Sequence, residues 1–206
     1  MNHITPQENF WAGQFGDEYI GRNQGSDLLA SNLSFFSKML NAVERLNSCI
    51  EFGANIGMNL KALSLLFPRM KMSAIEINTA ACGELKKFLP SQNIHNMSIF
   101  DYNSEDKFDL SFIKGVLIHL NPDMLEVVYK KLYNSTSKYI LVAEYYNPTP
   151  VTIPYRGHSD RLFKRDFAGE LLDRFTDLKL VDYGFVYRRD PKFPQDDITW
   201  FLLQKQ

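Results

Sequence analysis

The sequence predicts a single doubly wound α/β domain, and three observations predict it. Short apolar runs alternate with stretches of helical periodicity along most of the 206 residues, the first such run ends in a glycine turn, and no linker, repeat or low-complexity tract divides the chain. Parallel strands need crossover connections that pack as helices, so this alternation implies a largely parallel sheet covered on both faces.

The elements follow in order. Residues 1–25 form a polar arm studded with aromatic residues. Over 26–47, Leu29, Leu33, Phe36, Leu40 and Val43 recur at spacings of four and three, which predicts an amphipathic helix. Residues 48–52 make a short strand ending at Gly53, and Leu60, Leu63 and Leu66 then mark a helix that Pro68 stops. Strand 71–77, helix 79–89 closed by Pro90, strand 97–100 and strand 109–114 continue the pattern. Asn121 and Pro122 read as N-cap and first residue of a helix with Leu125, Val128, Tyr129 and Leu132 on one face, up to Asn134. Residues 139–143 are a strand, 147–164 a long proline-bearing loop, 166–175 a helix, and 179–187 and 199–204 two late strands.

Composition narrows the function. A hydrophobic share of 45% and a charged share of 23% suit a folded domain and exclude a disordered one. With 23 basic and 24 acidic residues, no field draws the chain to a nucleic-acid backbone or to anionic lipid, so the expected partner is a small molecule. Cys49 and Cys82 sit in apolar stretches as buried thiols, which fits a reducing cytoplasm. No secretory leader and no apolar run of membrane-spanning length is visible, and a monomer or homodimer is expected.

In an open α/β sheet, ligands bind beyond the carboxyl ends of the strands, so those positions carry the chemistry. The first strand end reads Glu51-Phe52-Gly53-Ala54-Asn55-Ile56-Gly57, where glycines allow a tight turn and close approach to a nucleotide-like cofactor. It departs from the dinucleotide fingerprint, because Asn55 replaces the second glycine and Gly57 comes one residue early. Glu76, 19 residues after Gly57 and followed by Ile77, is placed to accept bonds from ribose hydroxyls. Asp101 and Tyr102 after the third strand could take an exocyclic amine and flank a base, and Lys114 and Gly115 close the fourth.

This order of strand-end residues resembles the class I S-adenosylmethionine-dependent methyltransferases. More narrowly, nearly the whole chain resembles the pseudaminic acid biosynthesis-associated methylases. FGDEYIGRN, IEFGANIGMNL, KGVLIHLNPDML, AEYYNPTPVTIPYRGH, RLFKRDFAGELL, VDYGFVYRRDP and PQDDITWFLL carry that resemblance. It implies one Rossmann-like methyltransferase domain over 1–206, with 1–25 as an arm or lid and 26–206 as the core. The sheet is expected to have seven strands, mostly parallel with an antiparallel last strand. The cofactor implied is S-adenosyl-L-methionine, contacted at Gly53, Asn55, Gly57, Glu76 and Asp101. Glu51, Ala54, Ile77, Tyr102, Lys114, Gly115, Tyr19 and Arg22 are further cofactor candidates. The arm (Phe15, Tyr19, Arg22, Asn23), the proline-bearing loop and RRDPKFPQDD are expected to roof the site against water.

Methyl transfer from a sulfonium is an in-line displacement, so the protein must align a nucleophile and, for a hydroxyl, remove its proton. His119, just beyond the fourth strand, and His158, in the loop, are the candidate bases. Glu144, Tyr145, Tyr146, Tyr155, Arg156, Arg161 and Lys164 suit an acidic, polyhydroxylated acceptor such as a nonulosonic acid, its precursor or its nucleotide sugar. No metal is expected, although Asp190, Asp196, Asp197 and Glu144 leave a metal-assisted route open. The alternatives are methylation of another small metabolite and a catalytically silent cofactor-binding scaffold. Glycine spacing disfavours a dehydrogenase, and Asn147-Pro148-Thr149-Pro150 lacks the stacking aromatic expected of a nucleic-acid methylase.

Overall fold

The computed structural model describes residues 5–22, 24–41, 43–103 and 105–206. Two short helices, α1 (Pro6–Ala12) and α2 (Gln14–Ile20), form within the polar arm, to which the sequence reading gave no elements. Thr5 and Glu8 form a reciprocal capping box that starts α1. Helix α3 (Ser26–Met39) stops eight residues short of its predicted end, although Leu40 and Leu46 remain buried. Apolar spacing of three and four marked a buried face and did not mark where the backbone left the helix.

Strand β1 (Ser48–Phe52) leads through the glycine turn to α4 (Met58–Leu66), then to β2 (Lys71–Glu76) and α5 (Thr79–Leu85). The third strand corrects the sequence reading: β3 is Ile94–Asn96, and Met97–Phe100 form the turn after it. Ile99 and Phe100 are buried, so their apolar character reflects core contact and not a strand. Strand β4 (Phe108–Lys114), α6 (Leu125–Asn134) and β5 (Thr136–Glu144) follow, with Asn121 capping the short 3₁₀ turn that opens α6. The proline-bearing segment contains a small hairpin of β6 (Val151–Thr152) and β7 (Phe163–Lys164). Helix α7 (Phe167–Arg174), capped by Asp166, precedes β8 (Leu178–Val186) and β9 (Ile198–Lys205).

The main sheet has seven strands in the order β3-β2-β1-β4-β5-β9-β8. Strands β1 to β5 are parallel, and β9 inserts antiparallel between β5 and β8. One face packs on α3, α4 and α5 around Phe36, Leu60 and Leu63, and the other on α6 and α7 around Val128, Leu132 and Leu171. From β1 the chain runs outward to β2 and β3 and then returns to β4 on the other side of β1, so the crossovers diverge between β1 and β4. That switch point opens a crevice at the carboxyl edge.

Candidate active site

A cleft of about 680 Å³ lies at this edge. Its floor is the turn after β1. Gly53 has φ +77°, and a Cβ there would lie 2.7 Å from Val116 Cγ2, so only glycine lets the turn pass under the loop after β4. The Gly53 and Ala54 amides both donate to the Ile75 carbonyl, at 2.9 and 3.0 Å. Gly57 also has positive φ, but a Cβ there would strike Phe88 and Leu85. It is a packing glycine at the start of α4 and does not line the cleft.

Glu76, at the end of β2, is 7% exposed and lines the cleft beside Ile77. Its carboxylate accepts the Asn55 amide at 2.6 Å and the Asn78 amide at 2.8 Å. Burial raises its pKa, against those amide bonds. Asn78, missed in the sequence reading, joins three structures. Its backbone N–H holds Glu76, its Oδ1 caps α5 by accepting from Ala81, and its Nδ2 donates to Asp17 Oδ1 in α2 at 2.8 Å. Asn-Thr-Ala-Ala before a helix is an N-cap signature that the sequence did carry.

On the α3 side of the edge lies a buried polar group. Glu51, not itself in the cleft wall, accepts from Asn59 Nδ2 at 2.6 Å, while its Oε2 and Asn59 Oδ1 have no partner among the described residues. Burial pushes the Glu51 carboxyl up to about 8. Lys114 Nζ lies over the Phe35 ring and 3.4 Å from Asn32 Oδ1, and burial lowers its pKa against the attraction of Glu51. Gln195 Nε2, from the β8–β9 connection, donates to the same Asn32 oxygen at 3.2 Å.

On the other side, His119 ends a short turn over Leu117–His119 and lines the cleft. Its Nδ1 lies 2.7 Å from the Arg161 carbonyl. A carbonyl only accepts, so Nδ1 carries the proton and Nε2 the free lone pair. Burial lowers its pKa to about 4 and keeps the ring neutral near pH 7. Trp11 and Tyr155 flank the ring, with centroids at 4.8 and 5.1 Å.

The structure brings Tyr19, Arg22, Gly53, Ala54, Asn55, Glu76, Ile77, Lys114, Gly115, His119, Tyr145, Tyr155 and Arg156 to one cleft. Other candidates stand elsewhere. Asp101 is exposed, one residue beyond the cleft-lining Ser98, Ile99 and Phe100, and acts electrostatically on Lys131, and Tyr102 packs against Phe52 and His95. Glu144 points into the protein: Oε1 accepts the Val116 and Leu117 amides and Oε2 the Ile118 amide, holding the turn that carries His119. Tyr146 is exposed against Phe201. His158 is exposed against Phe10, Arg161 pairs with Asp160, and Lys164 lies over Tyr145. Asn23 lies outside the described residues.

Three chain segments roof the cleft: α1 and α2 through Gln7, Trp11 and Tyr19, the proline-bearing loop through Tyr155 and Arg156, and the β8–β9 connection through Arg188 and Gln195. The loop turns at Arg156-Gly157, both at positive φ (49° and 84°), between reciprocal bonds joining Tyr155 and His158. Position one of such a turn favours Asn, Asp or Gly, and arginine there costs about 1 kcal/mol.

Among the described residues no group of three His, Cys, Asp or Glu could hold a metal ion, and no helix is long and apolar enough to cross a membrane. A central parallel sheet with an antiparallel β9 between β5 and β8, and a ligand-sized cleft over its switch point, decides the fold.

The chain has the class I methyltransferase fold. Magnesium protoporphyrin IX methyltransferase from Synechocystis PCC 6803, solved with bound S-adenosylmethionine, superimposes with a TM-score of 0.67 at 11% identity over 100% of both chains. The 1,6-didemethyltoxoflavin-N1-methyltransferase of Burkholderia thailandensis, solved with bound 1,6-didemethyltoxoflavin and S-adenosylhomocysteine, gives 0.68 at 13% identity, covering 100% of this chain and 92% of its own. A mitomycin 7-O-methyltransferase gives 0.67 at 13%, and the chain spans 61% of its length. No family model and no curated protein matches the sequence.

Proposed function

We propose that the chain is an S-adenosyl-L-methionine-dependent methyltransferase acting on a small molecule. The observation that carries this reading is the set of buried groups along the cleft. Glu76, fixed by two amides at the end of β2, is the group we assign to the ribose, and Asn59 Oδ1, in the cleft wall and backed by Glu51, is an acceptor without a donor among the described residues. That acceptor matches an ammonium group, Lys114 matches a carboxylate, and the Gly53 turn admits a backbone-close ligand. The methionine end of the cofactor offers that ammonium and carboxylate. Tyr19 and Arg22, from the arm, line the same cleft.

When bound, the cofactor supplies an electrophilic methyl group. The chain aligns the nucleophile and excludes water with its three roof segments. His119 offers Nε2 as a hydrogen-bond acceptor. A pKa near 4 makes it a weak base toward a free hydroxyl. An oxygen that has just gained a methyl is strongly acidic, however, and even a weak base takes its proton late in the transfer.

The acceptor we propose is the oxygen or nitrogen of a pseudaminic-type nonulosonic acid, or of an intermediate on its pathway. The support is the sequence resemblance together with Tyr145, Tyr155 and Arg156 in the cleft. The test is mass spectrometry of protein incubated with S-adenosylmethionine and a panel of such sugars, free and nucleotide-activated. A gain of one methyl with matched S-adenosylhomocysteine is expected. Cofactor binding without turnover on any of the panel removes the sugar and leaves another metabolite as the acceptor.

A further inference from the structure

The roof carries two arginines that the cofactor does not need. Arg156 and Arg188 come from different segments, the proline-bearing loop and the end of the β8 excursion, yet both line the same cleft. Arg156 is held in place: its guanidinium stacks on Tyr155 at 5.4 Å and Phe15 at 5.9 Å, and it bonds the Tyr155 side chain. Its interactions are with aromatic rings, and no ion pair joins it to a carboxylate among the described residues. Asp196, the carboxylate of the β8–β9 connection in the same cleft, engages Tyr145 and Lys114, so the exposed guanidinium keeps N–H groups for a ligand. Arg188 reaches Asp197 only at 3.6 Å, with both side chains largely exposed, a pairing that an incoming anion displaces at little cost.

The backbone supports the same conclusion. Arg156 sits at φ +49° in a two-residue turn whose first position suits glycine or asparagine. The turn therefore gains nothing from arginine, and the side chain is what the position serves. Deeper in the cleft, the wall beside His119 is made by Trp11, Ile118, Leu120, Tyr155 and Leu162, which offer no cation to an ionised group. Lys114, the buried cation, lies on the α3 side against Phe35 and Asn32. An anionic acceptor is thus matched at the mouth and not beside His119.

We propose that Arg156 and Arg188 bind an oxyanion of the acceptor, a carboxylate or a phosphate, at the mouth of the cleft, so that the uncharged end of the molecule faces His119. This rests on the methyltransferase reading for the name of the acceptor, but the anion site can be tested alone. Two pairs of probes separate the sources: N-acetylneuraminic acid against its methyl ester, and glucose 1-phosphate against methyl glucoside. Each is titrated calorimetrically into the full chain with and without saturating S-adenosylhomocysteine.

At least one anionic probe is expected to bind about tenfold tighter than its neutral counterpart, and the pair that shows this names the oxyanion. Arg156→Gly relieves the turn, so its melting temperature should not fall, while the preference for the anion is lost; Arg188→Ala should reduce it as well. Affinity for S-adenosylhomocysteine should stay within about twofold in both variants. The absence of any anionic preference in either pair, or its survival in the Arg156→Gly/Arg188→Ala double variant, overturns the proposal. Failure of S-adenosylhomocysteine to bind the native chain overturns the methyltransferase reading instead, and the anionic preference measured without it still decides the arginine site.

Discussion

Asn78→Asp isolates the docking of the N-terminal arm from the stability of the core. Aspartate caps a helix as well as asparagine does, so the bond from the Ala81 amide survives. The donor facing Asp17 Oδ1 at 2.8 Å becomes an oxygen, and a second carboxylate then stands against Asp17 and close to Glu76. Asp17 is exposed, so the lost charge-assisted bond counts at the low end of its range, about 1 kcal/mol, and the new repulsion adds about as much. Helices α1 and α2 have seven residues each and do not hold themselves without docking. A loss of about 2 kcal/mol there lowers the hydrogen-exchange protection of the arm about 30-fold. The assay is amide exchange resolved by peptide, with the start of α5 as internal reference. The arm should exchange faster while α5 stays protected, whereas Asn78→Ala should release both. Unchanged protection of the arm in Asn78→Asp would falsify the view that this side chain docks it.

Three further outcomes follow from buried groups. Glu144→Gln places an amide N–H₂ among three backbone donors and should cost about 2 kcal/mol in urea unfolding, with faster exchange at 116–118; a loss under about 0.5 kcal/mol refutes the stapling role. His119 has its pKa lowered to about 4 by burial, so the unfolded chain takes up the proton first as pH falls, and stability is lost between about 6.5 and 4, by at most about 3 kcal/mol. His119→Gln should flatten that part of the profile, and parallel urea midpoints for the two proteins at pH 7 and 5 would contradict it. Cys49 and Cys82 are fully enclosed, and burial raises both thiols, Cys82 to about 12; neither should react with iodoacetamide at neutral pH until denaturant is added, and labelling of the native chain at free-thiol rate would sink this.

The elements legible in the sequence were those whose chemistry is local. Strand β1 is apolar and bounded by Gly53, Asn121-Pro122 carries its own capping signal, and Pro68 ends a helix by removing a donor. Strand β3 was misread because it lies at the sheet edge and its residues, Ile94-His95-Asn96, are only half-buried, while the more apolar Ile99 and Phe100 belong to a turn. Asp101 was misplaced with it. The arm helices escaped because Phe10, Trp11, Phe15 and Tyr19 pack on one another and on the cleft instead of forming a stripe toward a sheet. The place of Glu76 at the end of β2, in the cleft wall, was legible from its spacing after the glycine turn. The inward role of Glu144 was not, because the same Glu-Tyr-Tyr string at a strand end fits a side chain turned either way, and only the loop after β4 decides it.

The placement of the tryptophans gives the molecule two built-in optical reporters in separate places. Trp200, on β9, is 1% exposed, and a Cβ at Gly184 would lie 2.8 Å from its ring, so its emission follows only the integrity of the core. Trp11 stands in the cleft wall beside His119, where any occupant replaces the solvent next to the indole. With two tryptophans in the chain, Trp200→Phe leaves a fluorophore that reads binding, and Trp11→Phe leaves one that reads unfolding. Occupancy and denaturation can thus be followed by colour and intensity in an unlabelled protein.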